Sequence, residues 1–240
     1  MKADVLLYPQ ALSNQVPGDK KVVVIDVLRA TSTIVTALAH RALEVIPVNE
    51  PSEAIELVRS IGTKECILGG EQKGFKIEGF DLGNTPADYT EEKVAGKKVI
   101  LCTTNGTRAV KRAQGAAEVL VASYLNLQAV VDYLGESDKD LLIVCAGREQ
   151  NVSLEDLSCA GMLIRLLTAH RNDLQLSDGA TVAGLIAGQA QAEGLEDFIK
   201  STEHGRYLIQ IGMEPDIRDC VTLNQYPLVP RFLNGKIVVE

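Results

Sequence analysis

Apolar and polar positions along this chain fall into two kinds of stretch. Val22–Ile25 is an unbroken β-branched run, and short apolar runs recur at Glu44–Val48, Cys66–Leu68, Val99–Thr103, Glu118–Ser123 and Leu141–Cys145. Runs of that length and composition read as strands buried on both faces. Val5–Tyr8 reads as a first strand, ended by Pro9 and a polar loop through Pro17-Gly18. Between the strands the period lengthens to that of helices: Ile34–His40, Pro51 to near Gly62, Thr107–Gln114, Asn126 or Leu127 to Leu134, a helix capped by Ser153 running to about His170, and an alanine- and glycine-rich one from Asp178 to Ala192. Pro51 suits a first helical turn, and Ala54, Ile55, Val58 and Ile61 give its helix an apolar face. Helical pieces broken at Gly194, Gly205 and Pro215 follow to about Leu223. Asn234-Gly235, between apolar residues in Val229–Val239, is a hairpin signal.

Strands alternating with helices predict an α/β fold: three layers, α/β/α, around a mostly parallel sheet that the C-terminal hairpin makes mixed at its edge. At 240 residues the chain suits one α/β domain spanning 1–240, or two close-packed lobes with a break near 125–140. Gly69–Thr85, with five glycines and no period, reads as a long functional loop anchored by Phe75, Ile77, Phe80 and Leu82. A faint internal repeat relates Val24–Val48 to Lys98–Ser123: strand, hydroxyl-rich turn, alanine-bearing helix, Glu-Val, strand. The interval from Thr33 to Glu44 equals that from Thr107 to Glu118, as two βαβ units would give.

A net charge of −8 without a basic block argues against nucleic acid as a partner. An acidic protein that handles an anion must then supply positive charge locally. No apolar stretch is long enough for a membrane span, and the N-terminus lacks the marks of a signal peptide, so a cytoplasmic location is expected. Five scattered cysteines read as buried thiols. His40, His170 and His204 have no ligand or triad spacing, which argues against a histidine-based site.

The candidate chemistry sits at strand exits, where open α/β sheets hold ligands. Asp26 follows the central strand, then Arg29, then Thr31-Ser32-Thr33 opening a helix. This places a metal-grade carboxylate, a guanidinium and hydroxyls that can cap a helix and seat an anion in one stretch. Asp26 and Arg29 could equally pair with each other. Thr103-Thr104-Asn105-Gly106-Thr107 repeats the strand, glycine turn, helix geometry of a phosphate cradle without the full P-loop pattern. Cys145-Ala146-Gly147-Arg148 is a third exit, leading to Ser153-Leu154-Glu155-Asp156, in which Ser153 and Asp156 resemble a capping box. In the glycine-rich loop Glu71, Glu78 and Asp81 are candidate oxygen ligands for Mg²⁺, Glu71 alone standing at a strand exit. In a parallel sheet these exits open on one edge.

Together these stretches resemble the 2-phosphosulfolactate phosphatase family: Ile25–Thr33, GGEQKGFKIEGFDLGNTP from Gly69 to Pro86, TTNGT from Thr103 to Thr107, CAGREQNVSLEDLSCAG from Cys145 to Gly161 and, more loosely, Asp216–Cys220. The resemblance implies a Mg²⁺-dependent phosphatase acting on the phosphate monoester of a 2-hydroxy acid, typically (2R)-2-phospho-3-sulfolactate, a step that serves coenzyme M biosynthesis in archaeal members. In a mechanism built on it, Asp26 and Glu71 hold Mg²⁺, with help from Glu155 or Asp156. Arg29, Arg148 and the turn residues Thr31, Ser32, Thr104, Asn105, Gly106, Thr107 and Gly147 hold the anionic substrate, and the attacking group is water or Asp26. A phosphosugar- or nucleotide-handling transferase and a non-catalytic sensor of a phosphorylated acid are the competing readings. A homo-oligomer is compatible with all of them.

Overall fold

The computed structural model describes residues 1–8, 18–148 and 151–239. The loop expected over Pro9–Pro17 lies outside the described residues, as do Glu149 and Gln150 of the third motif. The first half of the chain runs β1 (Lys2–Leu6), β2 (Lys21–Ile25), α1 (Ala30–Ala39), β3 (Glu44–Val48), α2 (Pro51–Ile61), β4 (Cys66–Gln72), β5 (Phe75–Lys76), α3 (Glu91–Val94), β6 (Lys98–Cys102), α4 (Gly106–Arg112) and β7 (Glu118–Ala122). There follow α5 (Leu127–Gly135), β8 (Leu141–Cys145), α6 (Leu154–His170), β9 (Gln175–Leu176), α7 (Asp178–Glu193), α8 (Leu195–Ser201), α9 (Glu203–Gln210), α10 (Glu214–Cys220), β10 (Arg231–Leu233) and β11 (Lys236–Val238).

The strands form one mixed sheet in the order β5-β4-β6-β3-β11-β10-β7-β2-β8-β1-β9. Parallel pairings join β4, β6 and β3 on one side and β7, β2, β8, β1 and β9 on the other. The Asn234-Gly235 hairpin is not an edge, as its turn signal first implies: β10 and β11 lie between the two parallel blocks and pair antiparallel with β7 and β3. Three successive antiparallel steps set the two blocks in opposite senses along the sheet.

Alternation along β2 shows the layering. Val22 and Val24 pack with Ile34, Ala37, Ala109 and Val110 of α1 and α4 on one face. Val23 and Ile25 pack with Leu127 and Val131 of α5 and Leu163 of α6 on the other. Burial on both faces is why Val22–Ile25 carries no polar position. A third cluster places Val48, Ala54 and Ile100 against Ile77 and Phe80.

Several local expectations change. The first strand begins at Lys2 rather than Val5, because pairing with β8 sets Ala3 opposite Leu141. Gly69–Thr85 is not structureless: β4 continues to Gln72 and turns back into β5, with Glu71 opposite Lys76. A side chain at Gly70 would collide with the Cys102 carbonyl, so this glycine marks close approach of two strands rather than a loop. Phe75 is exposed, whereas Ile77, Phe80 and Leu82 anchor the segment. Ile55 faces outward from α2, and Leu57 packs in its place. Gly205 lies inside α9, where its lack of a side chain lets the helix press on the Ile199 carbonyl; the break falls at Thr202, whose hydroxyl accepts from Gly205 N at 3.0 Å.

The internal repeat has a structural counterpart. Lys21 opens β2 and lies in register with Glu118 of β7, while Lys98 opens β6 in register with Glu44 of β3. The two strands of each repeat lie in opposed blocks, so neither repeat is the βαβ unit expected. Lys21 pairs with Glu118 at 2.8 Å and Lys98 with Glu44 at 3.3 Å, so each strand–helix–strand unit lends its lysine to the other unit's glutamate. The hairpin repeats the exchange, Lys236 reaching Glu44 at 2.7 Å and Arg231 reaching Glu118 at 3.6 Å.

Candidate active site

Although β2 and β6 belong to opposite blocks, their carboxyl ends meet. A Cβ on Gly106, the first residue of α4, would strike Ala30 Cβ and lie 2.6 Å from Asp26 Oδ2. Only glycine admits that approach of one helix start to the other unit's carboxylate.

The two exits are tied by matching hydroxyl clips. Thr31 Oγ1 donates to the Asp26 carbonyl at 2.8 Å and accepts from Asp26 N at 3.0 Å. Thr107 Oγ1 donates to the Thr103 carbonyl at 3.0 Å and accepts from Thr103 N at 3.2 Å. Ser32 Oγ likewise donates to the Val27 carbonyl at 2.9 Å. The hydroxyls of Thr31, Ser32 and Thr107 are therefore turned onto the backbone of their own turns rather than into a ligand site. None caps α1, which has no side-chain cap.

Four buried carboxylates lie beneath these turns, and they are bound differently. Glu71 accepts from Thr104 N at 2.9 Å and Gly74 N at 2.8 Å, fixing the cradle to the β4–β5 hairpin. Asp156 accepts from Val27 N at 2.8 Å and Gly147 N at 3.1 Å, clasping the exits of β2 and β8. Only half of the expected capping box forms as a result: Ser153 Oγ accepts from Asp156 N, but the Asp156 carboxylate is occupied with the two exits. Glu155 faces His204, with Oε1 to Nδ1 at 3.2 Å. Asp26 receives one long bond, from Ala30 N at 3.3 Å, and forms no ion pair among the described residues.

Their protonation follows from these surroundings. Burial pushes the Asp26 carboxyl up to about 6, the charge of His204 working against the rise and Glu71 and Glu155 adding to it. Burial, with Asp26 and Glu155 nearby, drives Asp156 well above its ordinary value. Burial also acts on Glu155, but the hydrogen bond and charge of His204 outweigh it and hold its carboxyl below the usual range.

Above this floor opens a cavity of about 230 Å³ lined by Leu28, Arg29, Glu71, Lys73, Gly74, Asn84, Thr104, Asn105, Arg148, His204 and Tyr207. The exits of β2, β6 and β8 thus line one cavity, although β6 runs opposite to the other two and they do not share one edge of a parallel sheet as the sequence implied. Asp26 itself is 8% exposed and sits below the lining. Arg29 pairs with Asp216 at 2.6 Å rather than with Asp26, and donates to the Gly74 carbonyl at 2.7 Å. The guanidinium of Arg148 lies 4.5 Å from the centre of the Tyr207 ring and 3.4 Å from the exposed Glu203. Lys73 has no ion-pair partner among the described residues, and its carbonyl accepts from Tyr207 Oη at 2.9 Å. Glu78 is exposed, and Asp81 accepts from Leu68 N at 2.8 Å, outside the pocket.

Residue-type reasoning passed over His204, Tyr207, Lys73 and Asn84. The one signal available for α9 was the three-residue interval between His204 and Tyr207, which puts both on one helix face. Burial lifts Cys102 to about 11 and Cys145 well above its ordinary value, as befits inert thiols.

Among the described residues no group of three or more His, Cys, Asp and Glu is placed to hold a metal ion. The described residues thus form no closed cage of these groups. Asp26 is nonetheless a buried carboxylate without a cationic partner, and Asn84 Oδ1 is a buried acceptor without a hydrogen bond at the pocket wall. This donor set fits a hard cation that takes one or two protein oxygens and completes its shell from water and substrate.

An α/β sheet with an anion-sized pocket over a buried carboxylate, at the meeting of strand carboxyl ends, defines the class as one that handles small charged ligands. The profile of the 2-phosphosulpholactate phosphatase family matches residues 6–235. Proteins named "Probable 2-phosphosulfolactate phosphatase" from Caldanaerobacter subterraneus subsp. tengcongensis and Thermotoga petrophila are each 44% identical, over 90% and 91% of this chain and 89% and 91% of their own. One from Clostridium acetobutylicum is 39% identical over 99% of this chain and 100% of its own. The chain therefore belongs to the 2-phosphosulpholactate phosphatase family, a family of phosphoric monoester hydrolases. No helix among the described residues is long and apolar enough to cross a membrane.

Proposed function

We propose that this protein is a Mg²⁺-dependent phosphatase that hydrolyses the phosphate monoester of a 2-hydroxy acid, converting (2R)-2-phospho-3-sulfolactate to 3-sulfolactate and phosphate. The observation that carries the reading is one small pocket with Arg148 and Lys73 on its wall and an unpaired, buried Asp26 beneath it. A substrate bearing phosphate, carboxylate and sulfonate needs several separated cationic groups, and an acidic chain has brought them together at this place. The names of the relatives point to the same ester.

Arg148, stacked on Tyr207, and Lys73 grip the anionic groups, while the exposed Thr104 and the half-buried Asn105 line the cradle beside them. Arg29, already neutralised by Asp216, holds the wall in place more than it attracts charge. Asp26 and Glu71 would hold Mg²⁺, with the Asn84 carbonyl oxygen as a neutral donor. When bound, the ion supplies neutralisation of charge on the phosphoryl oxygens. Because Asp26 lies below the pocket lining, the attacking group is water rather than the Asp26 carboxylate.

Phosphate release from synthetic 2-phospho-3-sulfolactate, followed colorimetrically, tests the reading. Turnover with Mg²⁺ and its loss on chelation are expected. Tight binding without release would favour a sensor, and release indifferent to chelation would remove the metal. Beryllofluoride bonded to Asp26 would replace water attack by a phosphoaspartate.

A further inference from the structure

One polar pair at the pocket is not needed for gripping phosphate. His204 is the second residue of α9 and Glu155 the second of α6; nothing in the chain order brings them together. Glu155 is 2% exposed and presents Oε1 to His204 Nδ1 at 3.2 Å. The same imidazole lines the cavity with Arg148, Lys73 and Thr104, and its Nε2 has no protein partner among the described residues. A buried carboxylate on one ring nitrogen, with the other nitrogen free at a ligand site, fixes the tautomer and the aim of the ring.

The reaction proposed above has a demand that such a group meets. Its leaving group is the alkoxide of a 2-hydroxy acid, a strong base that departs slowly unless protonated as the bond breaks. The other lining side chains do not offer that proton. Guanidinium groups do not release one. Tyr207 Oη is bonded to the Lys73 carbonyl, and Glu71 is accepting from two backbone amides. Lys73 is exposed on the turn between β4 and β5 and has no ion-pair partner among the described residues to aim its ammonium.

We infer that His204, oriented by Glu155, is the general acid that protonates the ester oxygen of the leaving group. In the step, water oxygen bonds to phosphorus and the bond from phosphorus to the ester oxygen breaks with its electron pair left on that oxygen. The Nε2 proton of the imidazolium passes to it, giving the free hydroxy acid. The proton shed by the attacking water returns to His204 through solvent, and the products are alcohol and phosphate with the protein unchanged. Glu155 is a positioning residue. This inference rests on the phosphatase reading.

The test compares an ester with a poor leaving group, 2-phospho-3-sulfolactate, with one that needs little protonation, p-nitrophenyl phosphate. H204N is expected to lower kcat on the alkyl ester about 10²–10³-fold and on the aryl ester by less than ten-fold, KM changing little for either. E155Q is expected to show the same pattern at about a tenth of the size, together with loss of the downfield Nδ1 proton resonance of His204. Equal losses on both esters, or none on the alkyl ester, would overturn the assignment while the phosphatase reading stood. Wild-type protein that hydrolyses neither ester would overturn both. Should H204N fail to fold, the split between esters in E155Q decides alone: present, it supports the assignment, and absent, it overturns it.

Discussion

The unit β2–α1–β3 and the unit β6–α4–β7 solve one folding problem twice, and only the first follows its opening strand with a charged residue, Asp26. Each begins with a lysine that pairs with the other unit's glutamate, and each clips its exit turn with a threonine hydroxyl bonded to the exit residue's own carbonyl. At the exit itself the first unit has Asp26 and the second Thr103. Thr103 meets Thr107 through both side chain and backbone, with Thr107 N donating to Thr103 Oγ1 at 3.1 Å. Asp26 has one weak bond and a carboxyl raised to about 6 by burial. A well-satisfied turn and a poorly satisfied one lie in matching positions, and under the proposed phosphatase reading the difference serves the site rather than the architecture.

The largest contrast is expected from the exits. Asp26→Asn should abolish phosphate release, by about 10³-fold or more, yet stabilise the fold. The sign follows from the raised carboxyl. The folded state holds the proton more tightly than the unfolded chain, so the Asp26 contribution favours folding below its ordinary value and is lost as pH rises through about 6. By pH 7 that loss amounts to about 3 kcal/mol at most, and the asparagine variant should lack this slope in urea titrations run from pH 4 to 7. Thr103→Val should do the reverse: a loss of about 1–3 kcal/mol, with activity following the folded fraction.

Breaking the support of the wall comes next. Asp216→Asn leaves the Arg29 guanidinium buried without its carboxylate, and a cost of about 3–5 kcal/mol is expected in the same titration. Gly106→Ala attacks the contact between the units, since its methyl would meet Ala30 and Asp26 Oδ2; about 1–3 kcal/mol and a disproportionate fall in kcat should follow. A stability loss without any kcat effect would show that the approach of α4 to Asp26 does not matter to the site.

The smallest effects concern the exchanged ion pairs. Burial would raise Glu44 and Glu118, but hydrogen bonds from Lys236 and Lys98, and from Lys21 and Tyr133, hold both below the usual range. Their stabilisation is present above the unfolded carboxyl value and fades as pH falls into the acid range. Glu44→Gln and Glu118→Gln should each cost about 0.5–1 kcal/mol near pH 7 and nothing in strong acid. Unequal costs would break the equivalence of the units in the sheet.

Much of this was legible beforehand for a physical reason. Strands buried on both faces must be apolar throughout, so Val22–Ile25 and Leu141–Cys145 declare themselves; Ser153 and Asn234-Gly235 announce a helix start and a turn by local geometry alone. The Gly69–Thr85 segment misled because glycine is read as loop, whereas Gly70 serves the close pairing of β4 with β6. The hydroxyls of Thr31 and Ser32 misled because a helix-start pattern does not say whether a hydroxyl faces the ligand or its own turn. His204 was invisible because its meaning lies in Glu155, forty-nine positions earlier in the chain.

The amino-acid order by itself determined most of the elements, the three layers and which turns reach the pocket, because those depend on periodicity and on conformations a few residues can impose. Tertiary structure decided that the hairpin would join two opposed parallel blocks, that Arg29 would answer Asp216, and that Asp26 would have no ion-pair partner among the described residues. These are questions of which groups are brought within a few ångströms of one another. Local pattern carries no information about such distances; packing across the sheet sets them.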